Sequence, residues 1–109
     1  DGYFICSGNK LVSLEGCPNY VGEYFDCEYN QLISLEGAPI EIGGVFYCEG
    51  NPIYSLYILF DEDFKKLKDS MDFGYLRGDK IIISRFQEAL EEIGKELPES
   101  IDGYEYIHL

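Results

Sequence analysis

Phe25 and Cys27 alternate with Tyr24, Asp26 and Glu28, a two-residue period that predicts a short strand with one buried and one solvated face. The same alternation recurs at Phe4 and Cys6 and at Phe46 and Cys48, and after each strand the apolar positions space out to Leu11, Leu32 and Ile53, then Leu14, Leu35 and Leu56. Three segments therefore align without a gap, at residues 4–14, 25–35 and 46–56, each reading F-x-C-x-x-N-x-[LI]-x-S-L. The Asn at 9, 30 and 51 is placed to satisfy backbone groups of the turn that follows each strand. Gly16-Cys17-Pro18 and Gly37-Ala38-Pro39 predict the next corner, with glycine supplying an unusual dihedral and proline fixing φ. Beyond Leu56 the period becomes helical. Phe60, Phe64, Leu67 and Met71 fall on one helix face, with Asp61 as N-cap and Lys65, Lys66 and Lys68 outward. Ile82, Phe86, Leu90, Ile93 and Leu97 predict a second helix ending near Gly94 and Pro98, and Tyr104, Ile107 and Leu109 a short extended tail.

Cys6 to Cys27 and Cys27 to Cys48 are each 21 residues apart, so one circuit of the chain predicts one turn of a stacked repeat with one parallel strand. The motif resembles the L-x-L-x-x-N-x-L signature of leucine-rich repeats, and in particular the Phe-x-Cys-x-x-Asn-x-Leu-x-Ser-Leu-x-Gly-x-Pro arrays of tailed bacteriophages, over Tyr3 to Leu56. The expected fold is α+β, a leucine-rich-repeat-like β-solenoid of 21-residue coils over residues 1–58, closed over 59–109 by a C-terminal helical cap with a short terminal strand. Asp1-Gly2-Tyr3 begins a strand without an N-terminal cap. The chain is thus expected to be the C-terminal piece of a longer array, or to have its first coil covered by a partner or by its own copy.

Lys and Arg total 8 against 21 Asp and Glu, a formal net charge of −13 that argues against direct binding to nucleic-acid phosphates or to an anionic membrane. Hydrophobic residues at 46% are too many for a disordered acidic tail. No basic segment followed by an apolar run opens the chain, so no signal peptide is expected. The constant cysteine period argues for a ladder of buried reduced thiols and a cytoplasmic location, which for a phage protein means the host cytoplasm.

Chemistry is sparse. His108 stands next to the C-terminal Leu109, Ser13, Ser34 and Ser55 occupy matched repeat positions suited to turn hydrogen bonds, and no phosphate loop appears. Zinc lacks a Cys-x-x-Cys or His pair. Asp26, Glu28 and Glu49 could approach one another on adjacent strands, but the Asp/Gly nonapeptide of calcium-binding rolls is missing. No enzyme activity, cofactor or metal is expected.

What remains is the outward strand face, with Tyr3, Ile5, Tyr24, Asp26, Glu28, Tyr29, Tyr47 and Glu49 as partner-binding candidates beside Ser7 and Val45. Tyrosines offer large contact area at low entropic cost, and carboxylates around them favour a protein with a basic surface. The expected function is a non-catalytic protein-binding module. The phage resemblance implies a host protein as target, including one of antiviral defence, and a nucleic-acid mimic as its sharpest form. The alternative is a structural, self-associating repeat module of a larger phage or bacterial protein.

Overall fold

The structure, a computed structural model, describes residues 2–109. Five short strands occupy the repeats: β1 (Tyr3–Ile5), β2 (Tyr20–Val21), β3 (Tyr24–Asp26), β4 (Glu41–Ile42) and β5 (Phe46–Tyr47). β1, β3 and β5 form one parallel sheet in which Phe4, Phe25 and Phe46 lie in register, and β2 and β4 form a second at the corner before each main strand. Phe25, Cys27, Phe46 and Cys48 are buried, whereas Phe4 and Cys6 at the end of the stack are only half-buried.

The turn asparagines join one repeat to the next. Asn30 donates from Nδ2 to the carbonyls of Cys6 (3.1 Å) and Cys27 (3.0 Å), and its Oδ1 accepts from the Leu11 N–H (3.1 Å). Asn51 repeats the arrangement one step on, with Cys27, Cys48 and Leu32. Each amide therefore satisfies backbone groups of two turns at once, which is why Asn30 and Asn51 can be buried.

The expected leucine-rich-repeat-like β-solenoid with a helical cap is not what forms. The chain is a small α+β fold of three short sheets, each of two or three strands, with three helices, and the described residues close no solenoid. The third repeat shows why. Pro52 stands where the earlier repeats carry Lys10 and Gln31, and its φ of −56° is already helical. Ile53, Leu56, Tyr57 and Phe60 then follow at helical spacing, so the chain coils into α1 (Ile53–Leu59) instead of returning along the repeat path.

The second half differs from the expected pair of helices as well. Asp61 and Glu62 have left-handed φ values of 65° and 50° and break the helix that Phe60 to Met71 predicts. The N-cap of α2 (Phe64–Ser70) is Asp63, whose carboxylate accepts from the Lys66 N–H at 3.0 Å; it is not Asp61. A single 3₁₀ turn (Met71–Phe73) leads into a hairpin of β6 (Leu76–Arg77) and β7 (Lys80–Ile82). The second expected helix is shorter than its pattern: α3 spans Ile83–Glu91, and the strand predicted for the tail is β8 (Glu105–Ile107), which pairs parallel with β7.

One core joins the two halves. Phe46 of the repeats meets Tyr57 and Phe64 edge-on at 5.2 and 4.9 Å, and the Tyr104 hydroxyl donates to the Ile33 carbonyl at 2.6 Å. No helix is long and apolar enough to cross a membrane among the described residues.

Candidate functional site

The solvated face of the three-stranded sheet carries the candidate residues in two rows. Strand register places Tyr3 beside Tyr24 in one row, and Ile5, Asp26 and Tyr47 in the next. Tyr3 and Tyr24 stack with ring centroids 5.2 Å apart and planes within 9°. Tyr47 is the diagonal neighbour of Tyr24, and their rings meet edge-on at 5.9 Å. The result is an unbroken aromatic run across all three strands. Tyr3, Ile5 and Tyr47 keep 59%, 52% and 40% of their surface exposed, while Tyr24 in the middle is half-buried by its neighbours.

The carboxylates stand at one end of this run. Asp26 is the last residue of β3, and Glu28 and Glu49 lie beyond the strands, where the chain enters its turns. The Asp26 carboxylate accepts from the Glu28 N–H at 3.1 Å. The Glu28 carboxyl is raised above its usual range, first by desolvation, then by the charges of Asp26 and Glu49. Among the described residues none of the three carboxylates takes part in an ion pair, so the patch presents uncompensated negative charge. No group of three or more His, Cys, Asp or Glu side chains among the described residues has the geometry to hold a metal ion.

Tyr29 departs from its expected place. It has a left-handed φ of 58° and belongs to the turn, 66% exposed, where it is not aligned with the tyrosine row. Of the matched serines, Ser34 makes a turn hydrogen bond, accepting from the Glu36 N–H at 3.2 Å, while Ser55 is absorbed into α1. His108 is exposed near the C-terminal end.

A groove of about 730 Å³ runs between β4 and the start of α2, floored by Tyr57 and Phe64 and walled by Ile40, Ile42 and Val45. Its sequence trace is the alternation Ile40-Glu41-Ile42, a strand pattern directly after the Gly37-Ala38-Pro39 corner. No protein family, curated protein or solved structure matches the chain.

Proposed function

We propose that this chain is a non-catalytic protein-binding module that docks through the tyrosine-bearing face of its three-stranded sheet onto a partner with a basic surface. The observation that carries the reading is the continuous run of Tyr3, Tyr24 and Tyr47, prestacked across three paired strands with Tyr3 and Tyr47 open to solvent. Aromatic rings already held in place lose little conformational entropy on binding and supply the area from which interface hot spots are built. Asp26, Glu28 and Glu49 beside them favour cationic groups, and pairing with such groups relieves the repulsion that Asp26 and Glu49 add to desolvation in raising Glu28. The resemblance of the repeated motif to bacteriophage arrays extends the proposal to a host protein, including one of antiviral defence whose nucleic-acid-binding groove the carboxylates would occupy.

A second reading, a self-associating structural module, is favoured by one observation. The outer edge of β1 pairs with no strand among the described residues. An open parallel edge is a template for another chain.

The experiment is affinity capture from bacterial lysate at low and high salt, with the wild-type chain beside the Tyr24→Ala/Tyr47→Ala double variant. Expected is a protein retained by the wild type, released by salt, and lost in the variant while its circular dichroism is unchanged. Equal retention by both chains would remove the tyrosine face from consideration. Recovery of the bait alone as a dimer would move the weight to self-association.

A further inference from the structure

The smaller parallel sheet stops at two strands where the larger has three. β1, β3 and β5 succeed one another at 21-residue spacing, and so do β2 and β4, with Tyr20 beside Glu41 and Val21 beside Ile42. One more step of 21 residues lands on Glu62 and Asp63. These two lie in the left-handed turn and cap between α1 and α2, because α1 has carried the chain off the repeat path. The place of a third strand is thereby left unfilled. The 730 Å³ groove occupies it, with Glu62 and Asp63 on its rim.

One wall of the groove is a strand edge. On the β2 side the Asn19 carbonyl accepts from the Ile40 N–H at 2.7 Å and from the Glu41 N–H at 3.3 Å, and the Val21 carbonyl accepts from the Gly43 N–H at 2.7 Å. Alternate residues of a parallel strand turn their polar groups to opposite sides, so the Ile42 N–H and C=O point toward the groove, and no strand among the described residues meets them. The flanking side chains are apolar and open, with Ile40 55% and Val45 49% exposed. Charge gives the chemistry of the occupant. Glu41, Glu62, Asp63 and Asp69 line the groove against Lys65 and Lys68, and Lys65 is held by Asp69 at 2.8 Å, which leaves three carboxylates facing one lysine.

We propose that the β4 edge is a strand-addition site for an extended segment of a partner protein in which apolar side chains alternate with Lys or Arg. The segment's backbone completes the ladder of the smaller sheet. Its apolar side chains pack against the exposed Ile40 and Val45, and its cationic ones meet Glu41, Glu62 and Asp63. This site is built on the smaller sheet and shares only Val45 with the border of the tyrosine face, so it stands or falls separately from it.

The test titrates the isotope-labelled full chain with a synthetic peptide alternating valine and lysine, followed by amide NMR. Shift changes should localise to residues 40–45 and the first turn of α2, and exchange of the Ile42 amide should slow about tenfold or more. A peptide N-methylated at the nitrogens facing β4 should lose this binding, and Glu41→Lys/Glu62→Lys should weaken it about tenfold or more, both positions being exposed. Equal binding of the methylated peptide would reduce the effect to non-specific charge attraction and overturn the proposal. So would an absence of binding, or shifts confined to Tyr3, Tyr24 and Tyr47. A concentration-dependent dimer that protects Ile42 without peptide would assign the edge to a second copy and overturn it equally.

Discussion

Asn51 donates from Nδ2 to the carbonyl of Cys27 at 2.9 Å, tying the third repeat to the second through a buried hydrogen bond. The same side chain holds the Cys48 carbonyl and the Leu32 N–H. Asn9 occupies the equivalent position in the first repeat, but it is exposed and bonds only within its own turn, to Cys6 at 2.9 Å. Removing Asn51 strands buried backbone groups that water cannot reach, whereas Asn9 leaves groups that solvent satisfies. Asn51→Ala should cost about 3 kcal/mol or more and Asn9→Ala less than about 1 kcal/mol. Urea unfolding of the two variants decides the matter, and comparable midpoints would deny the asymmetry between the inner and outer repeats.

A parallel contrast separates Gly16 from Gly37, which hold the same repeat position with φ values of 89° and 81°. A Cβ on Gly16 meets nothing within 4 Å, but one on Gly37 would lie 2.3 Å from the Glu15 nitrogen. The Leu14 N–H donates to the Glu36 carbonyl at 2.9 Å, so this corner is pressed against the preceding one and cannot retreat. Gly16→Ala should cost only the left-handed strain, about 1 to 2 kcal/mol. Gly37→Ala adds a backbone clash and should exceed about 3 kcal/mol. Thermal melts that fall by the same amount in both variants would contradict the close packing of the two corners.

The cysteines should react in an order set by their depth in the stack. Cys27 and Cys48 are buried, their thiols pushed well above the ordinary range by desolvation, and the Cys27 thiol donates to the Tyr47 carbonyl at 3.4 Å. Cys6, half-buried at the end of the stack, is pushed up to about 11 by burial and then by Cys17 and Asp26. Because the thiolate is the reactive form, labelling at mildly alkaline pH should reach Cys6 and Cys17 first. Cys27 and Cys48 should react only as fast as the chain unfolds. Mass spectrometry over time, with and without denaturant, reads the order, and rapid stoichiometric modification of Cys27 in the folded chain would refute it.

The repeated elements were legible because each bears a residue type with one physical use. Phe25 and Cys27 alternate with polar neighbours, and Asn30 and Asn51 follow each strand at a fixed distance, so the in-register strands and the turn amides could be read directly. The third repeat misled because Ile53 and Leu56 suit an inward return and a helix face equally well; Pro52 was the deciding residue. Asp61 looked like a cap because Asp suits both caps and left-handed turns, and only packing chose between them. β2 and β4 span two residues each, so the only period that marks either is the three-residue alternation Ile40-Glu41-Ile42 at β4. At the candidate site, alternation correctly put Tyr3, Tyr24 and Tyr47 on one face. Tyr29 was misplaced because its left-handed φ resets that alternation.

Asp61 gives the chain a defined acid response. Its carboxylate accepts from Lys66 at 2.9 Å and from Lys95, and these hydrogen bonds hold its pKa at about 2 against an ordinary 3.8. In the unfolded chain Asp61 takes up a proton near its ordinary value, while in the folded chain it resists until the lower one. The unfolded state therefore binds more protons in between, and stability rises with pH across that window. The contribution is present in full above about pH 4 and is lost as pH falls toward about 2. Asp61→Asn keeps a side chain that tolerates the left-handed φ of 65° and removes only the charge. It should lower the urea midpoint at neutral pH and flatten the decline between about pH 4 and pH 2, with the two proteins converging at the acid end. Glu28 carries the opposite sign, because its raised carboxyl makes ionisation cost stability, so Glu28→Gln should raise the neutral midpoint. A decline in Asp61→Asn as steep as that of the wild type would show that other carboxylates govern the acid transition.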